Sequence, residues 1–70
     1  MLLEDTKTIG NITFHLLSGQ TDPSRYITFF EYRNGNHLYK DVIPPIYNTT
    51  EEDTRATHNK LLHSLYISIL

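Results

Sequence analysis

The fold is decided by residues 26–43, which read Tyr26-Ile-Thr-Phe-Phe-Glu-Tyr32, then Arg33-Asn-Gly-Asn36, then His37-Leu-Tyr-Lys-Asp-Val-Ile43. The dipeptide Asn34-Gly35 lies between two runs that are rich in β-branched and aromatic residues. Asn-Gly is a strong hairpin signal, because both residues tolerate the positive φ of a type I′ turn. The stretch therefore predicts two antiparallel strands joined by a two-residue turn.

A turn at Asn34-Gly35 fixes the predicted register of this hairpin. It pairs Tyr32 with His37 and Phe30 with Tyr39, and alternation then sorts the side chains onto two faces. The first face is rich in aliphatic residues and the second in aromatic ones. The first holds Ile27, Phe29, Leu38 and Val42, and the second holds Tyr26, Phe30, Tyr32, His37 and Tyr39.

The segments on either side of the hairpin complete the predicted sheet. Residues 8–17 alternate between apolar and polar side chains, which indicates a half-buried strand. Residues 18–25 contain glycine, serine and Asp22-Pro23, and are typical of a loop. Pro44-Pro45 ends the third strand, because neither prolyl nitrogen can donate to a β-ladder.

A helix is predicted from about Thr50 to about Ile69. Thr49-Thr50-Glu51-Glu52 fits a capping box, with Thr49 as the cap and Glu52 reaching back to its amide. The last six residues also alternate, so a late strand is the competing interpretation. At helical spacing one apolar face holds Leu61, Leu62, Leu65 and Ile69, with His58 and Tyr66 beside it. For His58 we expect a partly buried, hydrogen-bonded core position in preference to a catalytic base.

The predicted fold class is α+β: a three-stranded antiparallel sheet with one C-terminal helix packed on one face. Residues 1–70 form one small domain. A single helix covers only one face of the sheet. The aliphatic face is the preferred choice under the helix because it is more purely apolar, which leaves the aromatic face uncovered; the reverse placement stays open.

Composition excludes several classes of function. The formal net charge is −2 and the basic residues are scattered, whereas duplex DNA binding draws on clustered cations. The chain has no cysteine, so disulfides and thiolate metal sites are excluded, and an intracellular, cytoplasmic location is expected. Glu4-Asp5 follows the apolar start too soon for a signal peptide, and no run has membrane-spanning length.

Enzymatic chemistry is not predicted. The serines lack a nucleophile-elbow context, the four histidines are dispersed, and the glycines form no phosphate-binding loop. We therefore predict a protein without cofactor or metal, and a small enzyme is only the third interpretation.

The preferred prediction is a non-enzymatic protein-interaction module, either a homodimer or a small inhibitor that docks on a partner protein. Tyrosine is enriched in protein interfaces. Bases also stack on aromatic faces, so binding of single-stranded nucleic acid or a nucleotide is the alternative. The negative net charge of the chain disfavours it. The predicted partner-binding residues are Tyr26, Phe30, Tyr32, His37 and Tyr39, with Arg25, Arg33 and Lys40 as possible contacts to phosphate or to an acidic partner.

Three strands followed by a helix that opens at Thr49-Thr50-Glu51-Glu52 resemble, in architecture, the small DNA-arm-binding domains of phage integrases. Those domains are basic on the sheet face and this chain is not, so their function does not carry over. In its size, charge and lack of cysteine the chain is also similar to small phage-encoded inhibitors of host defence. That likeness implies a protein partner.

Overall fold

The computed structural model describes residues 2–40 and 43–69, with side chains as far as Leu65 at the carboxyl end. The predicted α+β class, antiparallel sheet and C-terminal helix are confirmed, but within these described ranges the sheet has five strands rather than three. Val42, Leu70 and the side chains of Tyr66 and Ile69 lie outside the described residues. The elements are β1 (Leu3–Ile9), β2 (Ile12–Asp22), β3 (Arg25–Asn34), β4 (His37–Lys40), β5 (Ile46–Asn48) and α1 (Glu51–Ile69).

The strands form an antiparallel meander in the order β1-β2-β3-β4, and β5 also pairs with β3. β4 and β5 share one edge of β3: Glu31 lies opposite Lys40, whereas Thr28 lies opposite Ile46. The predicted third strand corresponds to β4, and β5 is a further strand that the sequence did not predict. Pro44-Pro45 lies between them, where prolyl nitrogens cannot donate to the ladder.

Two Gly-Asn turns close the outer hairpins at the same end of the sheet. Gly10-Asn11 joins β1 to β2, and Gly35-Asn36 joins β3 to β4, with glycine φ values of +60° and +62°. The predicted turn at Asn34-Gly35 was wrong by one position, so Tyr32, and not Phe30, lies opposite Tyr39. The two faces stay as predicted, because the register shifted by two residues.

The predicted loop at residues 18–25 was wrong, because β2 continues through Ser18 to Asp22. The β2–β3 connection is only Pro23-Ser24, with the Ser24 amide donating to Asp22 Oδ1 at 3.1 Å. A β-bulge between Gln20 and Asp22 precedes this turn. The predicted strand at residues 8–17 proved to be the end of β1, a turn and the start of β2.

Helix α1 begins and ends close to the predicted bounds. The cap is Thr50 rather than Thr49, since Thr50 Oγ1 accepts from the Asp53 amide at 3.1 Å. The helix runs to Ile69, which decides against the late-strand interpretation for the described residues. In the described part of the chain, no helix has the length and apolar character needed to cross a membrane.

Helix α1 packs on the face of the sheet that carries Leu16 and Phe30, which are 2% and 8% exposed. We call this the helix-side face. The preference for the aliphatic face under the helix was therefore wrong. The opposite side, which we call the open face, has no described helix or strand packed on it; it carries Leu17, Ile27, Phe29, Leu38 and Tyr47.

The backbone at Gly35 gives a test of the hairpin. A Cβ at this position meets no atom within 4 Å, so Gly35→Ala isolates the cost of φ +62° for an L-residue. We expect a loss of about 1–2 kcal/mol in the free energy of unfolding, measured by urea denaturation. Gly35→Asn should lose less, because asparagine tolerates this conformation. An unchanged midpoint for Gly35→Ala would contradict the turn geometry.

Candidate functional site

A network of hydrogen-bonded polar side chains lies beneath the helix. His58 Nε2 lies 2.7 Å from Asp5 Oδ2, and His58 Nδ1 lies 2.7 Å from Ser18 Oγ. Ser18 Oγ in turn lies 2.8 Å from Thr28 Oγ1. The imidazole therefore bonds the helix directly to β1 and β2, and through Ser18 to β3.

Each hydrogen-bond donor in this network has an acceptor when the His58 proton is placed on Nε2. Nε2–H then donates to the Asp5 carboxylate, Nδ1 accepts from the Ser18 hydroxyl, and Ser18 Oγ accepts from the Thr28 hydroxyl. Ser18 and His58 are 0% exposed and Thr28 is 1% exposed. Burial of polar groups is tolerated only when they are paired, and here they are.

Serine, histidine and aspartate are also the residue types of a catalytic triad. A nucleophile must reach its substrate, whereas Ser18 Oγ is fully buried and bonded to both His58 and Thr28. These hydrogen bonds therefore fix the helix on the sheet. A second link has the same role, since the Asn48 side-chain amide of β5 donates to Thr57 Oγ1 of α1 at 3.1 Å.

The aromatic residues predicted to contact a partner share one face, as expected, but it is the helix-side face. Phe30 is buried, so its predicted place on an uncovered surface was wrong. Tyr26 and Tyr32 are half-buried, His37 is exposed, and Tyr39 is 42% exposed. The Tyr32 and Tyr39 rings stack with centroids 4.7 Å apart. A partner contact at these four residues stays a prediction.

The open face has an apolar centre. Leu17 lies directly opposite Phe29, and Ile27 lies opposite Tyr47. Leu17, Ile27 and Phe29 are half-buried, whereas Tyr47 is 59% exposed. Where β4 and β5 part, a cleft of about 240 Å³ is lined by Ile27, Phe29, Phe30, Glu31, Lys40 and Pro45. A protruding side chain of another molecule has room there.

All three basic residues predicted as contacts lie on the open face. Arg25 Cζ is 5.9 Å from the centre of the Tyr47 ring, a cation–π geometry. Arg33 lies opposite Leu38, and Lys40 follows two residues later on the same side of β4; all three side chains are exposed. The acidic residues on this side are Glu4, Asp22 and Glu31. The apolar centre thus has a rim that carries both positively and negatively charged side chains.

Sequence reasoning missed Asp5, Ser18 and Thr28 as hydrogen-bonding partners beneath the helix. A signal for Ser18 was present, because it continues the alternation of Phe14 and Leu16. The adjacent glycine and the later Asp22-Pro23 outweighed that signal and made the segment look like a loop. The predicted core position of His58 is confirmed.

The chain matches no protein-family model, no curated protein and no solved structure. Among the described residues, no group of three His, Asp or Glu side chains is placed to hold a metal ion.

Removing the Ser18 hydroxyl tests the hydrogen-bond network around His58. Ser18→Ala leaves His58 Nδ1 and the Thr28 hydroxyl without their partner, so we expect a loss of about 1–3 kcal/mol in unfolding free energy. The exposed Ser24→Ala is the matched control and should change stability by less than about 0.5 kcal/mol. Combining Ser18→Ala with Thr28→Val should cost less than the sum of the two single changes. Equal stability of Ser18→Ala and Ser24→Ala would contradict the network.

Proposed function

We propose that this chain is a non-enzymatic protein-interaction module whose open face docks on another protein, in the manner of a small inhibitor. The observation that supports it is the uncovered apolar centre of the open face. Antiparallel sheets with one covered side normally turn polar residues to water on the other. Here Leu17, Ile27 and Phe29 occupy that side instead.

The composition of the open face fits a protein interface. Such interfaces combine an apolar centre with a polar, solvent-accessible rim. The centre here is Leu17, Phe29 and Ile27, and the rim holds charged residues at both ends. The cleft of about 240 Å³ beside Phe29 and Pro45 accommodates an anchoring side chain of the partner.

The charges indicate the chemistry of the partner. Arg33, opposite Leu38, and Lys40, two residues further along β4, are both exposed, whereas Glu31, opposite Lys40, is only half-exposed. A partner surface that is apolar, with carboxylates facing Arg33 and Lys40, complements this end of the open face. We include the intracellular location expected from the absence of cysteine in this proposal.

Single-stranded nucleic acid is less well matched to the same surface. Base-stacking platforms present aromatic ring faces. On the open face Phe29 is half-buried and the Tyr47 ring already lies under Arg25, so the accessible centre is mainly aliphatic. Binding of an oligonucleotide is therefore an outcome that the experiment must distinguish.

Leu38 and Tyr39 make a matched pair for this test. They are neighbours on β4, they are 39% and 42% exposed, and they point to opposite sides of the sheet. We expect Leu38→Asp to weaken binding of a protein partner at least tenfold, about 1.4 kcal/mol, and Tyr39→Asp to leave it within twofold. Arg33→Glu should weaken it at low salt more than at high salt.

The measurement is identification of partners from cells of the native host with the wild-type chain, followed by titration of the purified partner with each variant. A single-stranded oligonucleotide is titrated in parallel. The proposal is wrong if Tyr39→Asp abolishes binding while Leu38→Asp retains it, or if only the oligonucleotide binds.

A further inference from the structure

Strand β1 forms one edge of the sheet, and in the described part of the chain its single strand neighbour is β2. The edge is seven residues long and contains no proline. Glu4, Thr6, Thr8 and Ile9 are exposed along it, and no described strand pairs with its outer side. An uncovered strand edge is a template for pairing with another strand.

The hairpin turn determines which backbone groups face outward. Ile9 and Ile12 flank the two-residue turn and form a hydrogen-bonded pair, and such pairs alternate along an antiparallel ladder. The N–H and C=O groups that point away from β2 are therefore those of Glu4, Thr6 and Thr8.

We propose that β1 pairs antiparallel with β1 of a second copy of this chain, centred on Thr6, so that the two sheets become one. In this register Thr6 meets Thr6 of the second copy and Glu4 meets Thr8, each as a hydrogen-bonded pair. Asp5 then lies opposite Lys7, twice by symmetry, and Leu3 lies opposite Ile9.

Side-chain charge selects this register over its neighbours. A pairing centred on Asp5 opposes two carboxylates, and one centred on Lys7 opposes two ammonium groups, both of which are unfavourable. Centring on Thr6 pairs opposite charges instead. The Asp5 side chain is 37% exposed and a carboxylate accepts several hydrogen bonds, so its bond to His58 is compatible with a contact to Lys7.

The same charges discourage unrelated strands. Charged side chains on an edge strand are a known protection of sheet edges. A foreign strand need not carry opposite charges beside Asp5 and Lys7. A second copy supplies both opposite charges. It also covers Ile9, which is 40% exposed, with Leu3.

The absence of native cysteine makes the register directly testable. In a hydrogen-bonded antiparallel pair the Cα atoms are about 5.5 Å apart, within the range of about 4.4–6.8 Å for a disulfide. We expect Thr6→Cys to form a covalent dimer rapidly under mild oxidation. The matched control is Thr8→Cys on the same side of the same strand, where the two sulfurs are offset by about 14 Å along the strand and should cross-link at least tenfold more slowly.

A second variant tests the backbone contact. Thr6→Pro removes an outward N–H together with the hydroxyl that lies 3.3 Å from His15 Nδ1, whereas Thr6→Val removes the hydroxyl alone. Because no N–H that faces β2 is lost, Thr6→Pro should keep its circular dichroism spectrum but sediment as a monomer, and Thr6→Val should stay dimeric. The pairing is wrong if Thr6→Cys and Thr8→Cys cross-link at equal rates, or if the wild-type chain is a monomer at its highest soluble concentration. Leu38→Asp must not change the rate at which Thr6→Cys forms a cross-link. The experiments therefore distinguish failure of the β1 pairing from failure of partner docking at the open face.

Discussion

The position of His58 is the constraint on which the rest of the structure depends. Its imidazole is fully buried and bonded to Asp5 on β1 and Ser18 on β2, and Ser18 is bonded to Thr28 on β3. An unpaired buried polar group costs about 1–3 kcal/mol, so a helix that carries a buried histidine must lie over strands that offer partners. Ser18 and Thr28 point to only one side of the sheet, and that side is where α1 packs.

Polar matching, rather than apolar area, therefore decides which face the helix covers. Comparing the faces by hydrophobicity favoured Ile27 and Phe29 under the helix, because the partners of His58 were assigned to a loop or to no element. Once the helix is fixed by hydrogen bonds, no helix or strand among residues 2–40 and 43–69 covers the apolar residues of the opposite face. The open face is thus a consequence of the buried network, and it is the reason to look for a partner there.

Whether a structural feature could be predicted depends on how far apart in the sequence the residues that determine it lie. The alternation within β3, the helix from Thr50 and the two hairpin faces depend on neighbouring residues, and all were recovered. The turn position was wrong by one residue because Asn34-Gly35 and Gly35-Asn36 are both acceptable turn dipeptides around one glycine. Asp5 and Ser18 were missed because their role depends on a residue at least 40 positions away.

Symmetry relates the edge and the open face. Antiparallel pairing of β1 has its two-fold axis perpendicular to the sheet, so the open faces of both copies lie on the same side of one continuous sheet. If the open face also bound a second copy face to face, the chain would have two different self-complementary contacts. These would generate an open array unless the two-fold axes of the two contacts met. A closed particle is obtained when the edge binds a second copy and the open face binds a different protein. Such a dimer presents two docking surfaces side by side, so a partner with two sites is bound more tightly than either face alone allows.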